Sequence, residues 1–495
     1  MNITGNAVLN KPYKGLTTFV FHTMSDKQSP SAILNTGNKI IGIFATFDID
    51  RAVFFGLLTR VWALFSGPVT AILIATRFTA EIQGYYYTFS TILALQVFVE
   101  LGLGTVIIQF ASHEWAKLKL GSTGEIEGDR SALSRLVSIS RIAFKWYVIA
   151  GFLVACGVGI GGYIFFSSSP HIGVNWISPW IVLCLMSGIA ICLVPIWSLL
   201  EGCNQVKKLY TFRFFQAVVA SLSIWISMLL GAGLWTSAIS SITLTLLSFV
   251  FLRTKFYGFL KSLLHAKPVN EYVNWRHDIL PMQWRIALSW ASGYFIFSFF
   301  VPVLFKYDGP LVAGQMGMTW SLVVVLSAVS SSWLSPKAPV FGMLIAQKKY
   351  TELDIQFWKT TKIVMGISTC VAVCIWSVVF IVYHISSPAI HKFSLRLLPP
   401  LPTGLFLAAQ LFYIASSPFS TYLRAHKKEP LMLFSLIYAG LVGLSTFFMG
   451  RYYSVTGIAA GYLAVNMVLM PFVFFIWKSC RKKWHAPEET KVVTA

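Results

Sequence analysis

The chain has little charge for its size and very few acidic residues. Only 12% of its 495 residues are charged and 56% are hydrophobic, whereas an ordinary soluble domain has about 25% charged residues. Its mean hydropathy is +0.69. This composition excludes a large soluble enzyme. It predicts a polytopic α-helical membrane protein, because a helix of about 20 apolar residues spans a bilayer.

Two further absences narrow the class of protein. The seven cysteines form no CxxC pair and adjoin no histidine cluster, so we expect neither a zinc site nor a disulfide framework, and no resident cofactor. The sequence also contains no P-loop, nucleophile elbow or HExxH motif. We therefore expect a protein that is not an enzyme.

Apolar runs bounded by charged or turn residues predict about twelve transmembrane helices. The predicted spans are 52–77, 86–112, 142–166, 176–200, 206–230, 233–252, 284–305, 311–334, 361–385, 399–423, 430–450 and 455–477. We interpret residues 1–51 as a cytosolic N-terminal extension, with Met24 as an alternative start, and 478–495 as a basic cytosolic tail.

The distribution of basic residues predicts the orientation of these spans. The net charge is +21, from 39 Lys and Arg against 18 Asp and Glu. With a cytosolic N-terminus, 32 of the 39 basic residues fall in the two tails and the alternate loops on one side. Five fall on the other side, namely Arg77, Lys306, Lys392, Arg396 and Arg451. Because cytosolic loops are enriched in Lys and Arg, both termini are predicted to be cytosolic, and nucleic acid is not expected as a partner.

Three weak internal matches suggest that the chain is a duplication of six spans. Arg60 and the pair Ser66-Gly67 in span 1 match Arg285 and Ser292-Gly293 in span 7. GYYYTFS from Gly84 in span 2 matches GQMGMTWS from Gly314 in span 8. SLLEGCNQVKKLYTFRFF matches TYLRAHKKEPLMLFSLIY at a similar offset. An even number of spans per repeat makes the repeats parallel.

One long stretch resembles a known family. GLLTRVWALFSGPVTAILIATRFTAEIQGYYYTFSTILALQVFVELGLGTVIIQFASHE (56–114) is similar to the opening helices of polysaccharide flippases in the multidrug/oligosaccharidyl-lipid/polysaccharide (MOP) exporter superfamily. Later segments, LLEGCNQVKKLYTFRFF and YYSVTGIAAGYLAVN, are also similar to regions of that family.

The resemblance implies a MATE-like fold with two six-helix bundles that form a V around a central cavity. The bundles would comprise residues 52–252 and 284–477, joined by a basic cytosolic linker at 253–283. It further implies an inner-membrane flippase for lipid-linked (polyprenyl-pyrophosphate) oligosaccharides in surface polysaccharide synthesis, such as O-antigen or lipopolysaccharide assembly. Expected partners are membrane lipid, the lipid-linked oligosaccharide, and a polysaccharide polymerase or other assembly proteins.

Ionisable residues inside a span are costly and are therefore candidate functional residues. Arg60 in span 1 and Glu100 in span 2 are predicted at similar depth. We expect them to form an ion pair. The alternative is that Glu100 is a coupling site for H⁺ or Na⁺.

Four more residues are candidates to line a cavity and bind the pyrophosphate. Arg285, the repeat counterpart of Arg60, starts span 7 beside Gln283, while Lys145 and Arg213 start spans 3 and 5. Arginine offers a bidentate fork to phosphate, whereas the alternative for Arg285, Lys145 and Arg213 is snorkelling to the headgroups.

Two other functions fit the composition. A multidrug or cation antiporter of the same superfamily should carry cavity carboxylates, but Glu100 is the one acidic residue well inside a predicted span. A membrane polysaccharide polymerase or ligase should have a large external loop, which the predicted topology lacks.

Overall fold

The computed structural model describes residues 51–122, 124–168, 173–265, 280–385, 387–426, 428 and 430–485. Nearly all of the predicted N-terminal extension lies outside the described residues, as do 266–279 of the predicted linker and 486–495 of the predicted tail.

Helices account for every span predicted in the first half of the chain. They are α1 (Arg51–Arg77), α2 (Ala80–Glu100), α3 (Leu103–Trp115), α4 (Arg130–Ser167), α5 (Ile177–Gly202), α6 (Val206–Leu229) and α7 (Trp235–Lys255). The second span is broken, because Leu101 and Gly102 adopt left-handed backbone angles and α3 bends by 48° from α2. Glu100 therefore lies at the break itself.

Helices likewise account for the spans predicted in the second half. They are α9 (Leu280–Phe297), α10 (Phe300–Tyr307), α11 (Pro310–Leu334), α12 (Lys337–Ala346), α13 (Tyr350–His384), α14 (Pro388–Ser394), α15 (Pro400–Ala425) and α16 (Met432–Trp484). The seventh span consists of α9 and α10, and α12 and α14 are short helices between spans.

Helix α16 contains two predicted spans. Its 53 residues would extend about 80 Å at 1.5 Å per residue, far beyond the roughly 30 Å hydrocarbon layer. Ser454 has non-helical angles (φ 55°, ψ −153°) and divides it into two arms, which match the predicted spans 430–450 and 455–477.

Eight helices of the described residues are long and apolar enough to cross a membrane, and ten if each bent pair is one span. Helix α15 and the second arm of α16 coincide with the two remaining predicted spans, 399–423 and 455–477. The chain is therefore a multi-pass membrane protein.

The prediction of an all-α chain misses one small element. Strands β1 (Leu118–Leu120) and β2 (Ile126–Gly128) form an antiparallel hairpin between α3 and α4. Ser262 of the short helix α8 (Tyr257–His265) accepts a hydrogen bond from the backbone N–H of Ile126 at 3.1 Å. Part of the predicted linker is thus a helix that packs on the first half.

We call the end of the molecule that carries the lysine- and arginine-rich loops the basic end, and the other end the opposite end. The two halves meet at the opposite end. A Cβ on Gly84 of α2 would lie 2.0 Å from the carbonyl oxygen of Pro310, and one on Gly314 would lie 2.9 Å from the backbone nitrogen of Gly84. Only glycine permits such an approach. The contact joins the two GYYYTFS-like segments that the sequence matched as repeats.

Candidate functional site

A large cavity lies within the second half and reaches its basic end. Its volume is about 770 Å³. The lining residues are Ile296, Ser331, Leu334, Ser335, Ala338, Gly342, Tyr413, Ser416, Ser417, Ser420, Thr421, Arg424, Ala425, Leu431, Phe434, Ser435, Tyr438, Met470 and Val473. An adjoining cavity of about 360 Å³ shares Ser331, Tyr413 and Ser417 with it. We call the two together the hydroxyl-lined cavity.

Hydroxyl groups dominate the polar lining, and neither cavity has an aspartate or glutamate among its described lining residues. The hydroxyls of Ser416, Thr421 and Ser435 donate to backbone carbonyls of their own helices at 2.7, 3.0 and 2.9 Å. Their oxygen lone pairs consequently remain as acceptors, which suits a ligand that is rich in hydroxyl donors.

A buried hydrogen-bond network holds the aromatic wall of this cavity. Tyr438 donates to Oδ1 of Asn466 at 3.0 Å, and Asn466 donates to the carbonyl of Tyr462 at 2.8 Å. Tyr462 in turn donates to Gln410 at 3.4 Å. The ring of Tyr438 stacks on Tyr413 with centroids 6.1 Å apart and planes at 21°. The network thus fixes a pre-organised aromatic surface.

Arg424 is the one basic residue among the described residues that line this cavity. It lies in the last turn of α15, where the positive charge also favours the helix C-terminus. The cavity therefore combines many neutral hydrogen-bonding groups with a single positive charge at its basic end.

The opposite end is sealed by hydrogen bonds between the halves. The side-chain amide of Gln83 donates to the carbonyls of Gly314 and Arg396, at 2.9 and 3.1 Å. Arg396 Nη2 donates to the carbonyl of Phe78 at 2.6 Å. Burial lowers the pKa of Arg396, and the charge of Glu81 opposes that shift. In this conformation the molecule is closed at the opposite end, and its hydroxyl-lined cavity is at the basic end.

The expected ion pair between Arg60 and Glu100 is wrong for this conformation. Both residues are described, and neither forms a salt bridge. Helix α1 packs on α6 through contacts such as Trp62 with Ser221, and it leaves Arg60 exposed. Glu100, by contrast, ends α2 at the break, where the chain packs on α4 through the hydrogen bond from Trp146 to Val99 at 3.2 Å.

Arg213 forms an ion pair that the sequence did not predict. Its Nη2 lies 3.0 Å from Oε2 of Glu201, and Tyr210 donates to the other carboxylate oxygen at 3.4 Å. This pairing joins the end of α5 to the start of α6. Whether Arg213 also binds a substrate stays a prediction.

None of the other predicted site residues whose side chains are described lines the hydroxyl-lined cavity. Lys145 is exposed on α4. Gln283 is 2% exposed and lines a separate apolar cavity with Leu101 and Trp146. Arg285 belongs to α9, but its side chain lies outside the described residues. Whether these residues bind a substrate stays a prediction.

Sequence reasoning based on charge missed the hydroxyl-lined cavity. The usable signal was the density of small hydroxyl residues in two spans, SAVSSSWLS from Ser327 and SSPFSTYLR from Ser416. Pro418 lies within the second of these, and a proline there leaves the carbonyl of Ile414 without its helical hydrogen bond. Such a local irregularity is typical of a helix that lines a cavity.

Comparison with known proteins identifies the fold. No protein-family model and no curated protein matches the chain. Similar solved structures include an inward-facing multidrug resistance MATE family transporter of the MOP superfamily, at 15% identity and a TM-score of 0.54, covering 86% of this chain and 99% of that one. Another is the lipid II flippase MurJ in an inward closed conformation, at 14% identity and a TM-score of 0.57, covering 86% and 87%. A third is the MATE multidrug transporter DinF-BH, at 11% identity and a TM-score of 0.53, covering 88% and 95%.

These likenesses extend over most of the chain at low identity, and they establish the fold. The protein is an all-α polytopic membrane protein apart from its small hairpin, with the fold of MOP-superfamily transporters. The MATE-like fold that the resemblance of residues 56–114 implied is confirmed.

Proposed function

We propose that this protein is a flippase that moves a lipid-linked oligosaccharide, carried on polyprenyl pyrophosphate, across the cytoplasmic membrane by alternating access. The observation that carries the proposal is the hydroxyl-lined cavity, whose described lining residues include no aspartate or glutamate. Sugar rings are bound by hydrogen bonds to their hydroxyls and by stacking on aromatic rings, and this cavity offers both.

The proposed cycle begins in the conformation described above. The glycan enters from the basic end, and the enrichment of Lys and Arg there supports a cytosolic location for that end. Arg424 attracts the anionic pyrophosphate, while the polyprenyl chain stays in the bilayer. Separation of α2 from α11 then opens the opposite end and releases the headgroup.

The cation antiporter is the main alternative, because two of the structures similar in fold are multidrug transporters. A cationic drug in a low-dielectric site requires a negative partner, and the hydroxyl-lined cavity supplies a positive one. The enzymatic alternative, a polymerase or ligase, would consume the lipid-linked oligosaccharide rather than move it.

Transport by the purified protein in liposomes tests the proposal. The substrate is a fluorescent polyprenyl-pyrophosphate oligosaccharide, and its transfer between leaflets is followed by chemical quenching from outside. Ser331→Val and Ser417→Val each remove a hydroxyl from the cavity, and each should slow transfer about five-fold, the value of one hydrogen bond near 1 kcal/mol. Ser332→Val is the matched control, since Ser332 follows in the same helix but does not line the cavity.

Transfer of the labelled lipid at the rate of empty liposomes would refute the proposal. Uptake of a cationic dye by the same vesicles would favour the antiporter. Loss of the substrate with appearance of a longer glycan would favour the polymerase.

A further inference from the structure

A second cavity lies at the opposite end, beside the seal between the halves. Its volume is about 550 Å³. It is lined by Ala75, Thr76, Ala80, Leu311, Gln315, Lys392, Phe393, Leu395 and Arg396. These residues come from the end of α1, the start of α2, the start of α11, and the segment around α14. We call it the outer cavity.

Two basic residues in this cavity are unusual for their side of the membrane. The orientation predicted from charge leaves only five basic residues on this side, and Lys392 and Arg396 are two of them. No aspartate or glutamate is among the described lining residues. The nearest acidic influence on Arg396 is Glu81, which is exposed and forms no salt bridge with it in the described structure.

One of the two terminal nitrogens of the Arg396 guanidinium has no acceptor in the part of the chain that the structure describes. Nη2 is bonded to the carbonyl of Phe78, but Nη1 is buried and has no hydrogen-bond partner within the described residues. A buried guanidinium N–H without an acceptor is costly, and an anionic oxygen would satisfy it with a strong charge-assisted bond. The ammonium group of Lys392 is exposed at the same cavity and can neutralise a second charge.

Apart from the two cations, Thr76 and Gln315, the residues that line the outer cavity are apolar. Leu311, Phe393 and Leu395, together with Ala75, present hydrocarbon beside the two cations. A free inorganic anion would contact only the two cations, whereas a phosphate on a hydrocarbon chain would contact both the cations and the apolar residues. The cavity also lies where α1 of the first half meets α11 of the second, at the seam between the halves.

We propose that the outer cavity binds the phosphate of an isoprenoid-linked headgroup on the release side of the membrane, through Arg396 and Lys392, with the first part of its chain on the apolar wall. The role in release rests on the proposed function. The binding of an isoprenyl phosphate does not, and the two can fail separately.

Binding of farnesyl phosphate to the purified full-length protein in detergent tests the site. Affinity is measured by native mass spectrometry, with farnesol, inorganic phosphate and phosphatidylglycerol as comparison probes. Lys392→Gln should weaken farnesyl phosphate binding about five-fold, which is the upper value of about 1 kcal/mol for an exposed ion pair. Arg396→Gln should weaken it further, and Lys392→Gln keeps the test independent of the seal that Arg396 also forms.

Lys306→Gln is the matched control, because Lys306 is a basic residue of the same side that bonds to Ser168 and does not line the outer cavity. Its affinity for farnesyl phosphate should equal that of the wild type. If farnesol bound as tightly as farnesyl phosphate, the cavity would not recognise the phosphate. If phosphatidylglycerol bound as tightly as farnesyl phosphate, the cavity would not be specific for an isoprenoid chain. If Lys392→Gln and Arg396→Gln both bound farnesyl phosphate as tightly as the wild type, the outer cavity would not be the binding site. The wild type could bind farnesyl phosphate, with weaker binding by the two variants, and yet fail the liposome transfer assay. That outcome would support the site in the outer cavity and refute the proposed flippase function.

Discussion

Replacement of Gly84 by alanine should shift the protein away from the conformation that is closed at the opposite end. The new Cβ would lie 2.0 Å from the carbonyl oxygen of Pro310 and 2.7 Å from its Cα, whereas ordinary contacts are 3.4–4 Å. The contacting atoms belong to the backbone of α11, so no side chain can rotate away. Helices α2 and α11 must therefore separate by more than 1 Å locally.

The expected cost follows from the effect of overpacking. Inserting one methyl group into a close-packed contact costs about 1–3 kcal/mol. Because the clash exists only while α2 and α11 touch, this energy should shift the ratio of closed to open states by about 5–150-fold. Alanine normally stabilises a helix relative to glycine by about 0.5–1 kcal/mol, so a loss here must come from the contact between the halves.

Electron paramagnetic resonance distances between spin labels measure this shift. Labels at Arg77 and Arg451 report on the two halves at the opposite end, where both residues are exposed, in a background without the seven native cysteines. Gly84→Ala should lengthen the distance distribution. Gly67→Ala is the control, because a Cβ there would meet nothing within 4 Å. An unchanged distribution for Gly84→Ala would refute the contact between these helices as the closure of the opposite end.

Three further outcomes follow from particular contacts. Asp354→Asn should lower the free energy of unfolding in detergent by about 1–2 kcal/mol, because it weakens the ion pair in which Asp354 makes two contacts with Arg481. Glu352→Gln is the control and should change the free energy of unfolding little, because the pair of Glu352 with Lys349 is exposed. Burial lowers the pKa of His485 from 6.5 to about 4, so between these pH values the unfolded state binds more protons than the folded state. The melting temperature should therefore fall as the pH drops from 6.5 towards 4. His485→Gln should reduce that fall. Glu100→Gln should leave membrane abundance unchanged, because no ion pair with Arg60 is present to be broken, and a loss of abundance measured by immunoblot would contradict this.

The sequence alone determined the membrane class, and the resemblance of residues 56–114 to MOP-superfamily flippases predicted the fold. The membrane class follows from composition and from the lengths of apolar runs, because each apolar segment of about 20 residues is long enough to span the bilayer by itself. The division of α16 at Ser454 was predictable for the same reason, since 53 residues cannot cross once. The repeat match between Gly84 and Gly314 likewise anticipated two equivalent segments, although not that they touch.

Only the tertiary structure decided which side chains share a site. Arg60 and Glu100 were assigned similar depth, but depth does not specify which faces of two helices meet, and the break at Leu101-Gly102 sends Glu100 towards α4. Arg213 forms an ion pair with Glu201 because the turn between α5 and α6 brings the two side chains together. The hydroxyl-lined cavity needed several segments from the second half, and each contributes small polar residues that carry no strong signal alone. Charge is visible in a sequence, whereas a cavity exists only where several helices leave space between them.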